Sequence, residues 1–248
     1  MVLRPVARAT ALVLVVGAAG CSDVIVGQYD GSGGSAATAD DAASPTEATA
    51  SEGQTDTGVP ATCLADDFDD GIIDGGFWNT WVEEDAALEE VGGQLRLTPP
   101  SYGVFDTGVV GGSKSSFPFT DGTVQVRVVT PPPLDRPAAL FLQVGQGSEI
   151  LLLGIGSATV DARRLVDDVP ISSDAYPVAA YPTALGFRAQ GTTIDLEIAE
   201  GDGPFTVVHS YIVSQPFEDA SALIMAQTYG DNPDPATLVV DDFKACYR

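Results

Sequence analysis

The chain has 248 residues, with 35 acidic side chains against 11 basic ones and a formal net charge of −24. That balance repels phosphate backbones and anionic surfaces, which argues against nucleic acid and acidic polysaccharide as partners, while a hydrophobic fraction of 44% is ample for a folded core. One histidine, three cysteines and no G-x-S-x-G argue against a zinc cluster and against a serine or cysteine hydrolase.

At the N-terminus Arg4 and Arg8 precede an apolar run, Ala11 to Val16, and the small residues Gly17 to Gly20, which is the pattern of an export signal over residues 1–20. The run is too short to cross a membrane as a helix. It ends at Cys21, and the stretch AAGC resembles the lipobox of bacterial lipoproteins, with Ala18 where that family usually carries Leu. The resemblance implies cleavage before Cys21, a lipid (palmitate among its chains) on the new N-terminal cysteine, and a membrane anchor. Ser22, rather than Asp, follows the cysteine, which by the same resemblance favours the outer membrane of a Gram-negative envelope. An ordinary signal peptide is the alternative.

From Ser22 to Pro60 the chain is dominated by Gly, Ser, Ala, Thr and Asp, with seven acidic residues and no Lys or Arg. Such a composition buries too little apolar surface to offset its ordering entropy, so residues 21–60 are expected to form a flexible tether with a mean reach of about 35 Å. With Cys21 given to lipid, Cys63 and Cys246 remain in an oxidising compartment, where a disulfide is the expected fate of the pair. It would join the first strand of the folded region to its last.

Residues 61–248 are long enough for one domain, and no second linker divides them. Alternating apolar and polar residues recur at Gln94 to Thr98, Thr123 to Val129, Ala138 to Val144, Thr192 to Ala199 and Thr237 to Phe243, and period two predicts strands with one wet face. Ile150 to Ile155 is apolar throughout and predicts a strand covered on both faces. Pro131 to Pro133, Gly145 to Gly147 and Gly201 to Gly203 read as turns. Glu83 to Val91 allows one helical turn or two. Many strands and little helix predict an all-β domain, a two-sheet antiparallel β-sandwich or jelly roll.

Four stretches, DDFDDGIIDGGFWNTW (Asp66 to Trp81), VGGQLRLTP (Val91 to Pro99), LGFRAQGTTIDLEIAEGDGPF (Leu185 to Phe205) and LVVDDFKAC (Leu238 to Cys246), resemble in content and order the concanavalin A-like lectin/glucanase sandwiches of the laminin-G type. The resemblance implies that the opening D-x-F and closing D-D-F strands lie side by side, as a Cys63–Cys246 bond requires, and that Trp78 packs into the core. It also raises catalysis, because glucanases of this superfamily carry two glutamates on one strand. The nearest match is TIDLE, Thr193 to Glu197, where Thr193 occupies the place of the nucleophile. Asp195, Glu197 and Glu200 therefore read as a solvent face, His209 as a strand-end residue, and the domain as non-catalytic.

Asp66, Asp67, Asp69 and Asp70 on the first strand and Asp241 and Asp242 on the last form a candidate calcium cluster, since hard oxygen ligands suit Ca²⁺. Tyr176, Tyr181, Tyr229 and Asn232, in two Pro-punctuated loops, are candidates for holding a neutral sugar by ring stacking and hydrogen bonds. The expected function is a lipid-anchored envelope domain that binds carbohydrate or mediates adhesion. The alternatives are a structural sandwich that binds an envelope protein, and a divergent glycoside hydrolase using Glu197 or Glu200.

Overall fold

The alternating runs form strands, and there is no helix among the described residues, which in this computed structural model are 61–83, 85–103 and 108–248. The export signal, Cys21 and the tether lie outside them. In chain order the strands are β1 (Thr62–Asp66), β2 (Trp78–Val82), β3 (Ala87–Glu90), β4 (Leu95–Thr98), β5 (Tyr102–Gly103), β6 (Gly108–Ser113), β7 (Phe117–Phe119), β8 (Asp121–Thr130), β9 (Ala138–Gln146), β10 (Glu149–Gly156), β11 (Thr159–Val166), β12 (Val169–Pro177), β13 (Ala184–Gln190), β14 (Thr193–Ala199), β15 (Thr206–Ile212), β16 (Phe217–Thr228), β17 (Gly230–Asp231) and β18 (Leu238–Tyr247).

Two eight-stranded antiparallel sheets make the predicted sandwich. The first runs β15-β14-β13-β8-β18-β4-β3, with β1 also on β18; the second runs β12-β11-β10-β9-β16-β6-β2, with β7 on β16. Side chains alternate across each strand, so Val124, Val126, Leu185, Phe187, Ile194 and Leu196 of the first sheet meet Leu140, Leu142, Leu151, Leu153 and Ile224 of the second in one buried core. Strand β10 is apolar on both faces, as expected. Leu151, Leu153 and Ile155 enter the core, while Leu152 joins Ala139, Phe141 and Leu165 in a smaller cluster on the outer face of the second sheet.

Strands β9 to β12 form a meander of two-residue turns. At Ser157–Ala158 and Asp167–Asp168 both turn residues have positive φ (50°, 60°, 52° and 61°), the twist that hairpins favour. Two expectations are corrected. Gly145 lies inside β9, and the turn is Gly147–Ser148. Among the described residues of Glu83 to Val91 there is no helix, because Ala87–Glu90 pairs with β4 and Leu88 packs on the core, whereas a lone helical turn is unstable in water.

The opening and closing strands lie side by side, with Cys63 opposite Cys246 and Asp66 opposite Phe243. A disulfide joins the two cysteines across a Cα–Cα distance of 4.1 Å and a sequence separation of 183. Strand β1 buries little of its surface, so the ladder to β18 and this bond are what hold it. Trp78 is buried as expected, edge-on to Phe77 and Phe243, and its Nε1–H donates to Asp66 Oδ2 at 2.6 Å.

Two outcomes follow for stability. Reduction of the disulfide lowers unfolding free energy by about 2–5 kcal/mol in urea titrations with and without reductant, and an unchanged midpoint would contradict its role. Gly154→Ala places a methyl inside the van der Waals surface of the Phe141 ring, and the same titration should show a loss of about 1–3 kcal/mol.

Candidate functional site

The outer face of the first sheet carries the chemistry. Because Leu185, Phe187 and Ala189 of β13 and Ile194, Leu196 and Ile198 of β14 point inward, the intervening Gly186, Arg188, Asp195 and Glu197 point outward. The antiparallel register then sets them side by side: Asp195 lies opposite Arg188, Arg188 opposite Thr123, Thr123 opposite Cys246, and Cys246 opposite Cys63. One row of five strands thus runs from a carboxylate to the disulfide.

Arg188 holds two carboxylates with one nitrogen. Its Nη2 lies 3.1 Å from Asp195 Oδ2 and 2.7 Å from Glu197 Oε1. The two oxygens are therefore no farther apart than the sum of those distances, which is below the ~6.5–9.5 Å of inverting glycosidases. Ser210 of β15 donates to Asp195 Oδ1 at 2.6 Å. Asp195 is thus hydrogen-bonded and paired. Glu197 is 7% exposed, and burial pushes its carboxyl above the usual range; Arg188 opposes that shift and Asp195 adds to it. Two neighbouring carboxyl groups in unlike surroundings are the arrangement that separates an acid from a base.

Two depressions lie on the same face, one beside the row and one over its middle. One, of about 430 Å³, is lined by Gln94, Gln125, Arg127, Thr183, Asp202 and Phe205. The other, of about 380 Å³, is lined by Thr123, Arg188, Gln190 and Tyr247. The outer face of the second sheet is different in character. Its centre is Phe141, with the Arg163 guanidinium 5.2 Å from the ring centroid and Leu152, Leu165, Ile150 and Met225 around it.

The other candidate residues are placed elsewhere. Tyr176 and Tyr181 pack on the core, with the Tyr176 hydroxyl 2.7 Å from His209 Nδ1 and the Tyr181 hydroxyl accepting from the Ala158 N–H. Tyr229 donates to Gln227, and Asn232 is 3% exposed, with β11, β10 and β9 separating this pair from the Tyr176 strand. The four do not converge on one ligand. His209 sits inside β15 rather than at a strand end, its ring 4.3 Å from that of Tyr211. Glu200 lies in the turn after β14, where its carbonyl accepts the Gly203 N–H.

Of the six aspartates expected to form a calcium cluster, four have partners within the protein. Asp241 and Asp242 pair with Arg127, Asp66 accepts from Trp78 and from the Phe68 N–H, and Asp70 accepts the Ile72 N–H. Asp67 and Asp69 are exposed, and Asp67 raises the Asp69 carboxyl. No three carboxylate, imidazole or thiolate side chains among the described residues come together around one ion. Beside these aspartates is a carboxyl that sequence reading missed: Glu90, 7% exposed, accepts the Gly71 N–H at 2.8 Å and is pushed up to about 7, first by burial and then by its hydrogen bond with Asp70.

No protein-family model matches the chain, and no curated protein sequence does. Solved structures do match. A β-1,3-1,4-glucanase (lichenase) from a mouse hindgut metagenome has 13% identity and a TM-score of 0.55, covering 75% of this chain and 98% of its own. The Bacillus licheniformis β-glucanase gives 12%, 0.55, 75% and 98%, and a laminarinase from Flavobacterium sp. UMI-01 gives 10%, 0.56, 75% and 99%. At such identities the likeness shows the fold alone, the two-sheet jelly-roll sandwich of those structures. It also corrects the expectation of a non-catalytic domain, because these matched structures are glycoside hydrolases.

Glu90 makes the fold sensitive to pH. Its folded pKa lies above the ordinary 4.5, so its contribution to stability is present below that value and is lost as pH rises through about 7. Melting temperature should therefore fall between pH 5 and 8, and Glu90→Gln should flatten that slope; equal slopes in both proteins would exclude Glu90 as the cause.

Proposed function

We propose that the chain is a glycoside hydrolase acting on a neutral β-linked glucan, with Glu197 as general acid/base and Asp195 as nucleophile. The observation that carries this reading is the pair of carboxylates bound to one Arg188 nitrogen, beside two depressions, on a sandwich of glucanase fold.

The chemistry follows from the two environments. Glu197, its carboxyl pushed up by burial, gives its proton to the glycosidic oxygen as the bond to the anomeric carbon breaks. Asp195, held in place by Arg188 and Ser210, attacks that carbon and forms a glycosyl ester. A water then attacks the anomeric carbon, Glu197 takes the water's proton and the bond to the Asp195 oxygen breaks, which frees the sugar and restores both carboxyls. Thr193 lies on the same face of β14 but is a hydroxyl without a neighbouring base, so the nucleophile in this reading is two residues further along the strand than in glucanases. Arg188, 42% exposed, is the partner that yields: its side chain can leave Glu197 to an incoming sugar while staying on Asp195.

The neutral character of the substrate rests on charge. The domain carries 28 acidic and nine basic side chains, and Asp202 and Asp242 line the larger depression. The export pattern, Cys21 and the tether of the sequence support a place for this activity on the cell envelope, at the end of a lipid anchor, within reach of polysaccharide or of an envelope protein.

The test is release of reducing sugar from β-1,3-1,4-glucan and β-1,3-glucan. Glu197→Gln and Asp195→Asn should each lower the rate by about 10²–10⁴-fold. The rate should fall at high pH as Glu197, whose carboxyl burial pushes up, loses its proton. Wild-type protein that releases no sugar, or variants that match it, would end this reading.

A further inference from the structure

Nine phenylalanines lie among the described residues, and eight of them are committed to packing: seven are 2% exposed or less, and Phe77 leans on the main core. Phe205 is the exception. It is half-buried on the polar outer face of the first sheet, and it belongs to neither apolar cluster.

What holds it there is a braced turn. After β14 the chain reverses through Glu200 to Pro204, with Gly203 N–H bound to the Glu200 carbonyl at 3.0 Å and Gly201 at φ 57°. The Thr183 hydroxyl donates to the Gly201 carbonyl at 2.7 Å and ties the turn to the strand end beside β13. The turn delivers the Phe205 ring onto Gly186, where a Cβ would lie 2.9 Å from ring carbon Cε1. Only a residue without a side chain leaves that seat open. Gly186 stands opposite Glu197 on one side and opposite Gln125 on the other. The ring therefore lies on the boundary between the buried carboxyl and the larger depression, whose lining includes Phe205 itself.

We propose that Phe205 serves both sides of that boundary: one face of the ring keeps water from Glu197, and the other is the platform on which an uncharged sugar ring stacks. The cover matters only if Glu197 is the acid, so that half rests on the hydrolase reading; the platform does not. Around the ring, Gln94, Gln125, Thr183 and Asp202 supply the amides, hydroxyl and carboxylate that hydrogen-bond sugar hydroxyls, beside an aromatic face that meets the sugar's C–H groups. Glu197 is faced by Arg188 from β13, Asp195 along its own strand and Val207 from β15, with Gln125 beyond Gly186 on β8. The charged neighbours, Arg188 and Asp195, act on it in opposite senses. Removal of the ring would leave both charges in place and change only solvent access.

The experiment uses the full chain and two readouts: calorimetric binding of laminaritetraose, a neutral β-glucan tetrasaccharide, and the titration of the Glu197 carboxyl by carbon NMR. Phe205→Leu should weaken binding about tenfold and move the Glu197 midpoint to lower pH. Phe205→Trp should preserve both. Gly186→Ala, which displaces the ring without altering it, should behave as Phe205→Leu. No binding by the wild type, or wild-type affinity in the Leu and Ala variants, would overturn the platform. An unmoved Glu197 titration would overturn the cover. Binding that depends on Phe205 in a protein that releases no reducing sugar would sink the hydrolase reading and leave the platform standing.

Discussion

The ladder that pairs β14 with β13, and β13 with β8, fixes what the outer face of the first sheet can do. Side chains alternate with period two, so a slip of one residue would send Arg188 into the core and Phe187 to water. The inward set, Leu185, Phe187, Ile194 and Leu196, makes that slip prohibitive. Burial of four large apolar side chains thereby dictates that Arg188, Asp195 and Glu197 share one face. The same register carries the row on to Thr123 and the Cys63–Cys246 bond, which anchors β1 at the far side.

Charge scarcity gives the Arg188 cluster its meaning. In a chain of net charge −24 the cations are few, and five arginines, Arg127, Arg136, Arg163, Arg164 and Arg188, are spent on carboxylates. Arg127 and Arg188 each hold two. Arg127 stitches Asp241 and Asp242 at the irregularity in β18, where Asp242 has φ 51°, and its role is structural. Arg188 acts across the regular pairing of β13 with β14, and its partner Glu197 adjoins the register shift between β14 and β15. Arg188 keeps two carboxyl groups close together at a partly exposed surface, where mutual repulsion would otherwise drive them apart. Glu90 and Asp70 meet the same difficulty without a cation, and there a shared hydrogen bond takes its place.

Much of the fold was legible because period-two alternation is a local signal, and β4, β8, β9, β14 and β18 appear where it predicted them. The disulfide was legible from cysteine usage together with the pairing of first and last strands. The turns at Ser157–Ala158 and Asp167–Asp168 were not, since neither dipeptide advertises positive φ as Asn-Gly would. Tyr176, Tyr181, Tyr229 and Asn232 misled for a related reason: loop aromatics suggest ligand contact, yet three of the hydroxyls here are engaged by His209, Ala158 and Gln227, and Asn232 is buried. The Asp195–Glu197 pair was seen and set aside as a wet strand face. Its partner Arg188 lies across a hairpin, and nothing in the spacing of Asp195 and Glu197 reveals the cation they share.

The most direct test of the account is to identify the nucleophile by covalent trapping. A 2-deoxy-2-fluoro laminaribiosyl fluoride reacts with a retaining glycosidase to leave a long-lived glycosyl ester on the attacking carboxylate, and peptide mass spectrometry locates it. The account predicts one label, on Asp195, with none in Asp195→Asn. A label on any other residue, or an unlabelled protein that nonetheless cleaves glucan, would contradict it.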